Sequence, residues 1–336
     1  MKKSILSLLF VFFLLCDQHS VWAQACGTRQ LDPRIASFLK MIGYEDLSLQ
    51  QLRAMPIEQL KYAGPPVIPY PQADVTRIKI TADSIPVLVF NPLHQKDLPI
   101  LINYHGGGFI APLIPALEQS LWQEAKTFGA IVFAVDYRVA PEHRFPAAVN
   151  DAYHAFQWIA ANGNHWGGDT NRIALLGNSA GANLVAVITQ RAKKEGISDK
   201  IKLQILNGLP ADLRPHRMET SVSYQQNATG YFQTKDACYF AVENYAPGQS
   251  GHPEVSPILH ESFEGLPPAV IISAEFDPLR DDSFLYAARL RNAGVRVWDK
   301  CFAGQIHCLI GLPPGAKELE EYAGMVRKAM EECFER

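Results

Sequence analysis

Short apolar runs alternate with helical segments from about residue 75 to residue 334, and this alternation limits the possible folds more than any other feature. Eight runs predict strands, at 75–80, 86–90, 100–104, 130–135, 172–176, 201–207, 269–274 and 295–298. Helices are predicted near 117–128, 147–162, 180–194, 282–293 and 317–334. Such alternation predicts an α/β fold with a mostly parallel sheet and helices on both faces. With 336 residues, 48% of them hydrophobic, the chain can bury the core of one large domain.

The sequence Gly177-Asn178-Ser179-Ala180-Gly181 lies between a predicted strand and a predicted helix. It matches G-x-S-x-G, in which a sharp turn holds a serine hydroxyl out for attack. Glycines two positions before and after the serine permit this turn, because a side chain there would clash with the neighbouring strand or helix. The motif also recurs by chance, so Ser179 is a candidate nucleophile whose assignment depends on the rest of the chain.

A second glycine-rich loop, His105-Gly106-Gly107-Gly108-Phe109, follows the strand predicted at 100–104. Consecutive glycines let backbone N–H groups approach a ligand closely, and in acyl transfer such donors bind the oxygen that becomes negative. The alternatives are a flexible turn or a phosphate-binding loop. The chain has neither the G-x-x-x-x-G-K-[ST] nor the G-x-G-x-x-G spacing here, which disfavours phosphate.

In such sheets, ligand sites form at the carboxyl ends of the strands, so we expect a catalytic acid and base to follow the later strands. Asp277 lies just after the strand predicted at 269–274, and His307 lies beyond the last predicted strand. The competing acids are Glu275, Asp281 and Asp282, of which the last two are expected to begin the next helix. The chain has ten histidines, so the residues alone leave both assignments open.

Together these segments resemble the hormone-sensitive-lipase-like branch of the α/β-hydrolases, the bacterial family IV esterases. The segments that carry the resemblance are 105–109, 136–148 (DYRVAPEHRFPAA), 177–181, 275–281 and, more weakly, 304–307. The order serine, acid, histidine along the chain is the order of this fold. The resemblance implies an α/β-hydrolase domain over 24–336 with a mostly parallel eight-stranded sheet flanked by helices. It also implies a helical cap formed by about 24–71 and 209–250.

The resemblance further selects the site residues. It implies a catalytic triad of Ser179, Asp277 and His307, and an oxyanion hole of backbone N–H groups from Gly107, Gly108 and Ala180. The expected activity is serine carboxylic ester hydrolysis of small, short-acyl esters through an acyl-enzyme, with no metal and no cofactor. The alternatives are an amidase or deacetylase with the same triad, or a non-catalytic protein that binds a small molecule.

Four positions depart from the family's pattern. The family commonly has Asp where this chain has Asn178, and Gly where it has Ala182. His307 is followed by Cys308-Leu309 rather than the more usual Gly-Phe. None of these residues belongs to the implied triad, but Asn178 and Cys308 lie next to its members and are expected to alter substrate preference.

The first residues of the chain have the pattern of a secretory signal peptide. Two lysines precede an apolar stretch at 5–16, and Val21-Trp22-Ala23 has small residues at the two positions that matter before cleavage. We therefore expect a signal peptide over 1–23 and export to a periplasm or beyond. The alternatives are an uncleaved membrane anchor and lipid attachment at Cys16, which the bulky preceding residue disfavours.

Cysteine usage and charge narrow the possible partners. Removal of residues 1–23 leaves five cysteines without a C-x-x-C pair, so a zinc site is not expected. Cys301 and Cys308 bracket the segment that holds His307; a disulfide there would fix the base, but buried free thiols are the favoured expectation. The net charge of −3 gives no reason to expect nucleic acid or stable membrane insertion. The expected partners are a small-molecule ester and, in a homodimer, a second copy of the chain.

Overall fold

The computed structural model describes residues 26–62, 64–82 and 84–335. The predicted signal peptide at 1–23, with Cys16, lies outside the described residues. Of the helices in these three stretches, none is both long and apolar enough to cross a membrane.

The described residues form one eight-stranded sheet in the order β1-β2-β4-β3-β5-β6-β7-β8. Its strands are β1 Val75–Ile80, β2 Ile85–Phe90, β3 Leu98–Tyr104, β4 Ile131–Val135, β5 Gly168–Asn178, β6 Ile201–Asn207, β7 Ala269–Phe276 and β8 Val297–Ile306. Only β2 runs antiparallel to its neighbours in this sheet, β1 and β4, and the pairs from β4 through β8 are parallel. The predicted α/β-hydrolase fold with a mostly parallel sheet is confirmed.

Helices cover both faces of the sheet, as the alternation predicts. They are α4 Glu118–Phe128, α5 Ala147–Asn162, α6 Ala180–Lys194, α10 Arg280–Asn292 and α11 Lys317–Phe334. Successive strand side chains point to opposite faces. Accordingly Ile100 and Ile102 of β3 belong to the core cluster under α5, α6 and α10, whereas Leu101 belongs to the cluster under α4 and α11. Strands buried on both faces need continuous apolar runs, which is why they are visible in the sequence.

Two further groups of helices lie outside this pattern. They are α1 Pro33–Met41, α2 Leu49–Ala54 and α3 Ile57–Lys61 before the sheet, and α7 Pro215–Thr220, α8 Val222–Gln226 and α9 Lys235–Tyr245 between β6 and β7. The two groups contact each other. Leu52 and Phe240 share a small apolar cluster, and the Leu49 backbone N–H donates to Asp236 Oδ2 at 2.8 Å.

The last strand differs from its prediction. The run at 295–298 predicts a short strand, but β8 extends to Ile306 and ends directly before His307. Cys301 in this strand forms a disulfide with Cys26, with 5.2 Å between the Cα atoms. The expectation of a free thiol is therefore wrong for Cys301, and Cys308 is not bonded to Cys301. Cys238, Cys308 and Cys333 remain thiols.

Candidate active site

Ser179 sits at the junction of β5 and α6 in a backbone conformation that few side chains adopt. Its φ is 54° and its ψ is −120°, between the end of β5 at Asn178 and the first residue of α6, Ala180. The Ser179 backbone N–H donates to the carbonyl of Asn207, the last residue of the neighbouring strand β6, at 2.8 Å. Such strain persists only where the surroundings hold it, and it concentrates at functional sites.

The glycines of the motif are required by close approach rather than by flexibility. A Cβ on Gly177 would overlap the backbone of Gly181, and a Cβ on Gly181 would overlap the carbonyl of Tyr104 at the end of β3. This confirms the reason that the sequence gives for the two glycines. The tight turn pins the start of α6 against β3 and so fixes where Ser179 stands.

The glycine-rich loop lies beside this turn. Its Gly106 is so close that a Cβ there would be 3.1 Å from the carbonyl oxygen of Asn178. Gly107 and Gly108 have φ values of 115° and 61°, which glycine adopts freely. The Tyr137 hydroxyl donates to the His105 carbonyl at 2.7 Å and its ring stacks on the imidazole, so the loop is braced from below.

Backbone donors remain available at this point. The N–H groups of Gly107 and Gly108 donate to no acceptor in the part of the chain that the structure describes. Ala180 is the first residue of α6, where N–H groups have no acceptor within the helix and the helix dipole is positive. Gly107 and Gly108 line the same cavity as Ser179, and Ala180 directly follows Ser179 in the chain.

Asp277 and His307 meet at the carboxyl ends of β7 and β8. The imidazole Nδ1 of His307 lies 2.7 Å from Asp277 Oδ2, and the other carboxylate oxygen accepts the Leu279 backbone N–H at 2.9 Å. Both side chains are buried. Burial alone would lower the pKa of His307, but the adjacent Asp277 carboxylate raises the pKa well above its ordinary value.

The competing acids have other partners. Glu275 accepts the backbone N–H groups of Arg29 and Gly304 at 2.7 and 2.8 Å. Asp281 accepts the backbone N–H of Ser223, and Asp282 accepts that of Ala211. Asp281 and Asp282 lie in the first turn of α10, as expected for acids at a helix start. In the described structure the carboxylate that contacts His307 is that of Asp277.

One cavity of about 280 Å³ joins Ser179 and His307 with Gly107 and Gly108. No described residue is hydrogen-bonded to the Ser179 hydroxyl, which leaves it open to this space. The other imidazole nitrogen, Nε2, lies 3.4 Å from the sulfur of Cys308. The sequence marks Cys308 as a departure from the family's pattern directly beside His307, which is a usable signal, but it does not predict the contact with the imidazole.

The helices α2, α3 and α9 form part of the wall of this cavity. Leu52 and Leu60 come from α2 and α3, and Phe240 comes from α9. The segment 209–250 is rich in aromatic residues, and the sequence could not tell which of them face the site. Phe232 and Phe240 line the cavity, whereas Tyr245 stacks on Phe109 with 3.8 Å between ring centroids.

A second cavity of about 390 Å³ lies on the other side of the glycine-rich loop. It shares Gly107 and Ile310 with the first cavity and is bordered by Cys308. Its walls combine aliphatic side chains with polar ones, among them Asn103, whose Nδ2 donates to Glu124 Oε2 at 2.8 Å. Neither cavity holds a cluster of metal-ligating side chains, and none occurs elsewhere in the described residues.

Comparison with known proteins relates this arrangement to hydrolases. A family model described as an alpha/beta hydrolase fold (Abhydrolase_3) matches residues 101–311. An arylesterase of Saccharolobus solfataricus is 27% identical over 89% of this chain and 98% of its own length. An ethyl acetate hydrolase of Pseudomonas putida is 29% identical over 74% of this chain and 79% of its own length. The solved structure of a Pyrobaculum calidifontis esterase has a TM-score of 0.75 and 32% identity, covering 90% of this chain and 98% of the other.

Proposed function

This chain belongs to the α/β-hydrolase family, in its hormone-sensitive-lipase-like branch, and is a carboxylic ester hydrolase; we propose that Ser179, His307 and Asp277 form its catalytic triad. The observation that carries the proposal is the single cavity that joins a strained, open serine hydroxyl to a histidine held by a buried carboxylate. The Ser-His-Asp arrangement is defined by such geometry and roles rather than by sequence position.

Acylation follows from these contacts. The Asp277 carboxylate accepts the N–H of His307 Nδ1, so the ring keeps Nε2 free to take a proton. As Ser179 Oγ bonds to the ester carbonyl carbon, its proton moves to Nε2 and the carbonyl oxygen becomes negative. The N–H groups of Gly107, Gly108 and Ala180 stabilise this oxyanion; one such donor contributes about 3 kcal/mol to the transition state.

The second half of the cycle reverses the proton path. His307 gives its proton to the leaving alcohol as the bond between the carbonyl carbon and the alcohol oxygen breaks, which leaves an ester on Ser179. A water molecule then takes the place of the alcohol, and its oxygen bonds to the acyl carbon as it gives a proton to Nε2. The bond between the acyl carbon and Ser179 Oγ then breaks, the acid product leaves, and Nε2 returns the proton to Oγ.

We propose that the substrate is a small ester with a short acyl group. Two cavities of about 280 and 390 Å³ meet at Gly107 and give limited room for the two arms of an ester. We further propose that the helices of 24–71 and 209–250 act as a cap, because Leu52, Leu60 and Phe240 close the first cavity from above. The relative named for ethyl acetate agrees with a small substrate.

The triad is tested by Ser179→Ala in the full chain with p-nitrophenyl butyrate as substrate. We expect kcat to fall by about a millionfold, as for other triad serines, with the thermal midpoint Tm close to that of the wild type. The matched control is Ser198→Ala, a serine in the turn before β6 and far from the site. A Ser179→Ala enzyme with near-normal turnover would refute the assignment.

The ester preference is tested against the amidase and deacetylase alternative. An amide nitrogen must be protonated before it leaves and its carbonyl is less reactive than that of an ester, and His307 is the titratable residue among the described residues that line the first cavity. We therefore expect butyrate esters to be hydrolysed at least a hundredfold faster than the matched anilides (kcat/KM), an order-of-magnitude expectation. Faster turnover of the anilides would overturn the esterase assignment, and esters of acyl chains from two to twelve carbons would show whether short chains are preferred.

We also propose that the protein is exported. The signal-like residues 1–23 support this, and so does the disulfide between Cys26 and Cys301, because disulfides persist mainly in oxidising compartments. Amino-terminal sequencing of the protein from a periplasmic or culture fraction tests the proposal. We expect the first residue to be Gln24, and a chain that retains Met1 and stays in the cytoplasm would contradict it.

A further inference from the structure

Residues 26–32, here called the N-terminal strap, lie across β7 and β8 near the carboxyl ends of these strands. Asp277 directly follows β7, and His307 directly follows β8. The strap is fixed to β8 at three points. Cys26 is bonded to Cys301, the Asp32 backbone N–H donates to the Gly304 carbonyl at 3.0 Å, and Gln305 Nε2 donates to Asp32 Oδ2 at 3.0 Å. Gln305 is two residues before His307.

A buried carboxylate connects the strap to both strands. Glu275 of β7 accepts the Arg29 backbone N–H on one oxygen at 2.7 Å and the Gly304 backbone N–H on the other at 2.8 Å. Gly27 lies so close that a Cβ there would overlap this carboxylate. One side chain therefore holds strap, β7 and β8 together immediately before the residues proposed as acid and base.

The guanidinium of Arg29 extends this connection toward the acid. It lies 4.6 Å from the centre of the Phe276 ring and donates to Asn227 Oδ1 at 2.9 Å. Asn227 is fully buried, and its Nδ2 donates to the carbonyls of Glu275 and Asp277 at 3.1 and 3.0 Å. The Asn227 amide is thus hydrogen-bonded to the backbone on both sides of Phe276, and its own orientation is fixed by Arg29.

We propose that the N-terminal strap positions the catalytic acid and base, with Arg29 and Asn227 as positioning residues and the Cys26–Cys301 disulfide as its anchor. This rests on the proposed function, since it takes Asp277 and His307 as acid and base. A carboxylate that must stay 2.7 Å from an imidazole tolerates little displacement, and misplacement by about 1 Å costs on the order of a hundredfold in rate. The alternative is that the strap only adds stability.

The first test uses Arg29→Met and Asn227→Ala in the full chain with p-nitrophenyl butyrate. Arg29 is exposed, so its replacement should leave a folded protein. We expect kcat to fall about tenfold while KM changes less than about twofold, the pattern of a lost transition-state interaction. Arg29→Lys should restore part of the rate. The matched control is Arg172→Met, which breaks an ion pair with Asp169 at 2.7 Å on the far side of the sheet.

The pH dependence separates positioning from stability. Asp277 and Cys308 are the titratable groups in contact with the His307 imidazole. If Arg29→Met lets Asp277 recede, the pKa of His307 falls and the acidic limb of the kcat profile moves to lower pH. Assays run well below Tm should show this shift. An unchanged kcat, or a loss of kcat that follows Tm with no shift of the limb, would overturn the proposal.

The anchor is tested by reduction of the native protein with dithiothreitol. Cys26 and Cys301 become two thiols, and the two thiols of dithiothreitol become its cyclic disulfide. We expect kcat to fall about fivefold in the wild type, in step with the appearance of two additional alkylatable thiols; this figure is an order-of-magnitude expectation. The variant Cys26→Ala/Cys301→Ala should have the kcat of the reduced protein, and dithiothreitol should not change this kcat. A reduced wild type with the full kcat of the oxidised protein would exclude this role of the disulfide.

Asp277→Asn distinguishes failure of this inference from failure of the triad. If Asp277→Asn retains activity, Asp277 is not the acid and the proposed function fails. If Asp277→Asn abolishes activity while Arg29→Met and Asn227→Ala behave as the wild type, the triad stands and only the strap proposal is wrong.

Discussion

His307 is buried against a carboxylate, and the charge state of its imidazole determines whether it can act as a base. The Asp277 carboxylate raises the pKa of His307 above its ordinary 6.5 despite burial. An imidazolium cannot accept the serine proton, so activity is lost as pH falls through this raised pKa. We predict that the acidic limb of kcat/KM has its midpoint above 6.5. Titrimetric assays of ethyl butyrate hydrolysis measure it, and a midpoint below this value would contradict the assignment.

The sequence does not predict that the Cys308 side chain contacts the His307 imidazole. Cys308 is a partly exposed residue whose sulfur lies 3.4 Å from His307 Nε2, whereas Cys238 and Cys333 are buried. We predict that iodoacetamide abolishes activity as Cys308 is alkylated, because the added group occupies the space beside Nε2. The variant Cys308→Gly should stay active and resist the reagent; glycine suits the φ of 54° at this position. An enzyme alkylated at Cys308 and fully active would exclude this prediction.

The choice of the acid shows what the residues alone could decide. Four carboxylates lie within eight positions at the end of β7 and directly after it, and their spacing does not tell which one contacts His307. The resemblance selected Asp277, and the 2.7 Å contact with His307 agrees with that selection. The partners that divert Glu275 come from Arg29 and Gly304, which are distant in sequence, so no local pattern could have revealed them.

At the scale of elements, the junction of β5 and α6 depends on backbone contact that a single methyl group would prevent. Gly181 packs against the Tyr104 carbonyl, so we predict that Gly181→Ala lowers the free energy of unfolding by about 3 kcal/mol or more. Gly324 in α11 has open space around its Cβ position. Gly324→Ala should therefore raise the free energy of unfolding by about 0.5–1 kcal/mol. Urea unfolding measures the free energy of unfolding of both variants. If Gly181→Ala and Gly324→Ala changed it equally, the close contact at Gly181 would not be what constrains this junction.

The sequence predicts most elements of the sheet well. The interior strands and the flanking helices follow from continuous apolar runs and from helical periodicity, and their ends agree within a few residues; the bounds of the edge strand β1 agree as well. The other edge strand, β8, is longer than its prediction. Its residues after Trp298 include Asp299 and Lys300, which break the apolar run without ending the strand. The pairing of Cys301 with Cys26, 275 residues away, leaves no local signal.

At the scale of the molecule, the parallel sheet gathers the site. The glycine-rich loop follows β3, Ser179 follows β5, Asp277 follows β7 and His307 follows β8. Parallel strands end at the same edge, so residues about 200 positions apart converge there without any contact being encoded locally. This is why the family pattern could select the proposed site residues, whereas the shape of the cavities, the contact of Cys308 with His307 and the contacts of the strap depend on tertiary packing.

Stability of the whole domain should depend on pH through Glu124 of α4. Removal from water raises the pKa of Glu124 from 4.5 to about 7, although Asn103 donates a hydrogen bond to it. A raised pKa in the folded state means that the stabilisation is present below 4.5 and is lost as pH rises to about 7. The free energy of unfolding that is lost is at most about 3 kcal/mol, and solvent screening of this partly exposed side chain makes it smaller.

We therefore predict that Glu124→Gln, which keeps the acceptor for Asn103 but does not titrate, is more stable than the wild type at pH 8 by about 2 kcal/mol and nearly equal to it at about pH 5. Asp282, whose pKa burial also raises to about 7, is present in both proteins, so its effect cancels in the difference. The control is Glu58→Gln, an exposed glutamate of α3. Urea unfolding at several pH values measures the difference. A constant gap between Glu124→Gln and the wild type from about pH 5 to 8 would mean that Glu124 does not titrate in this range, and that the Asn103 hydrogen bond offsets its removal from water.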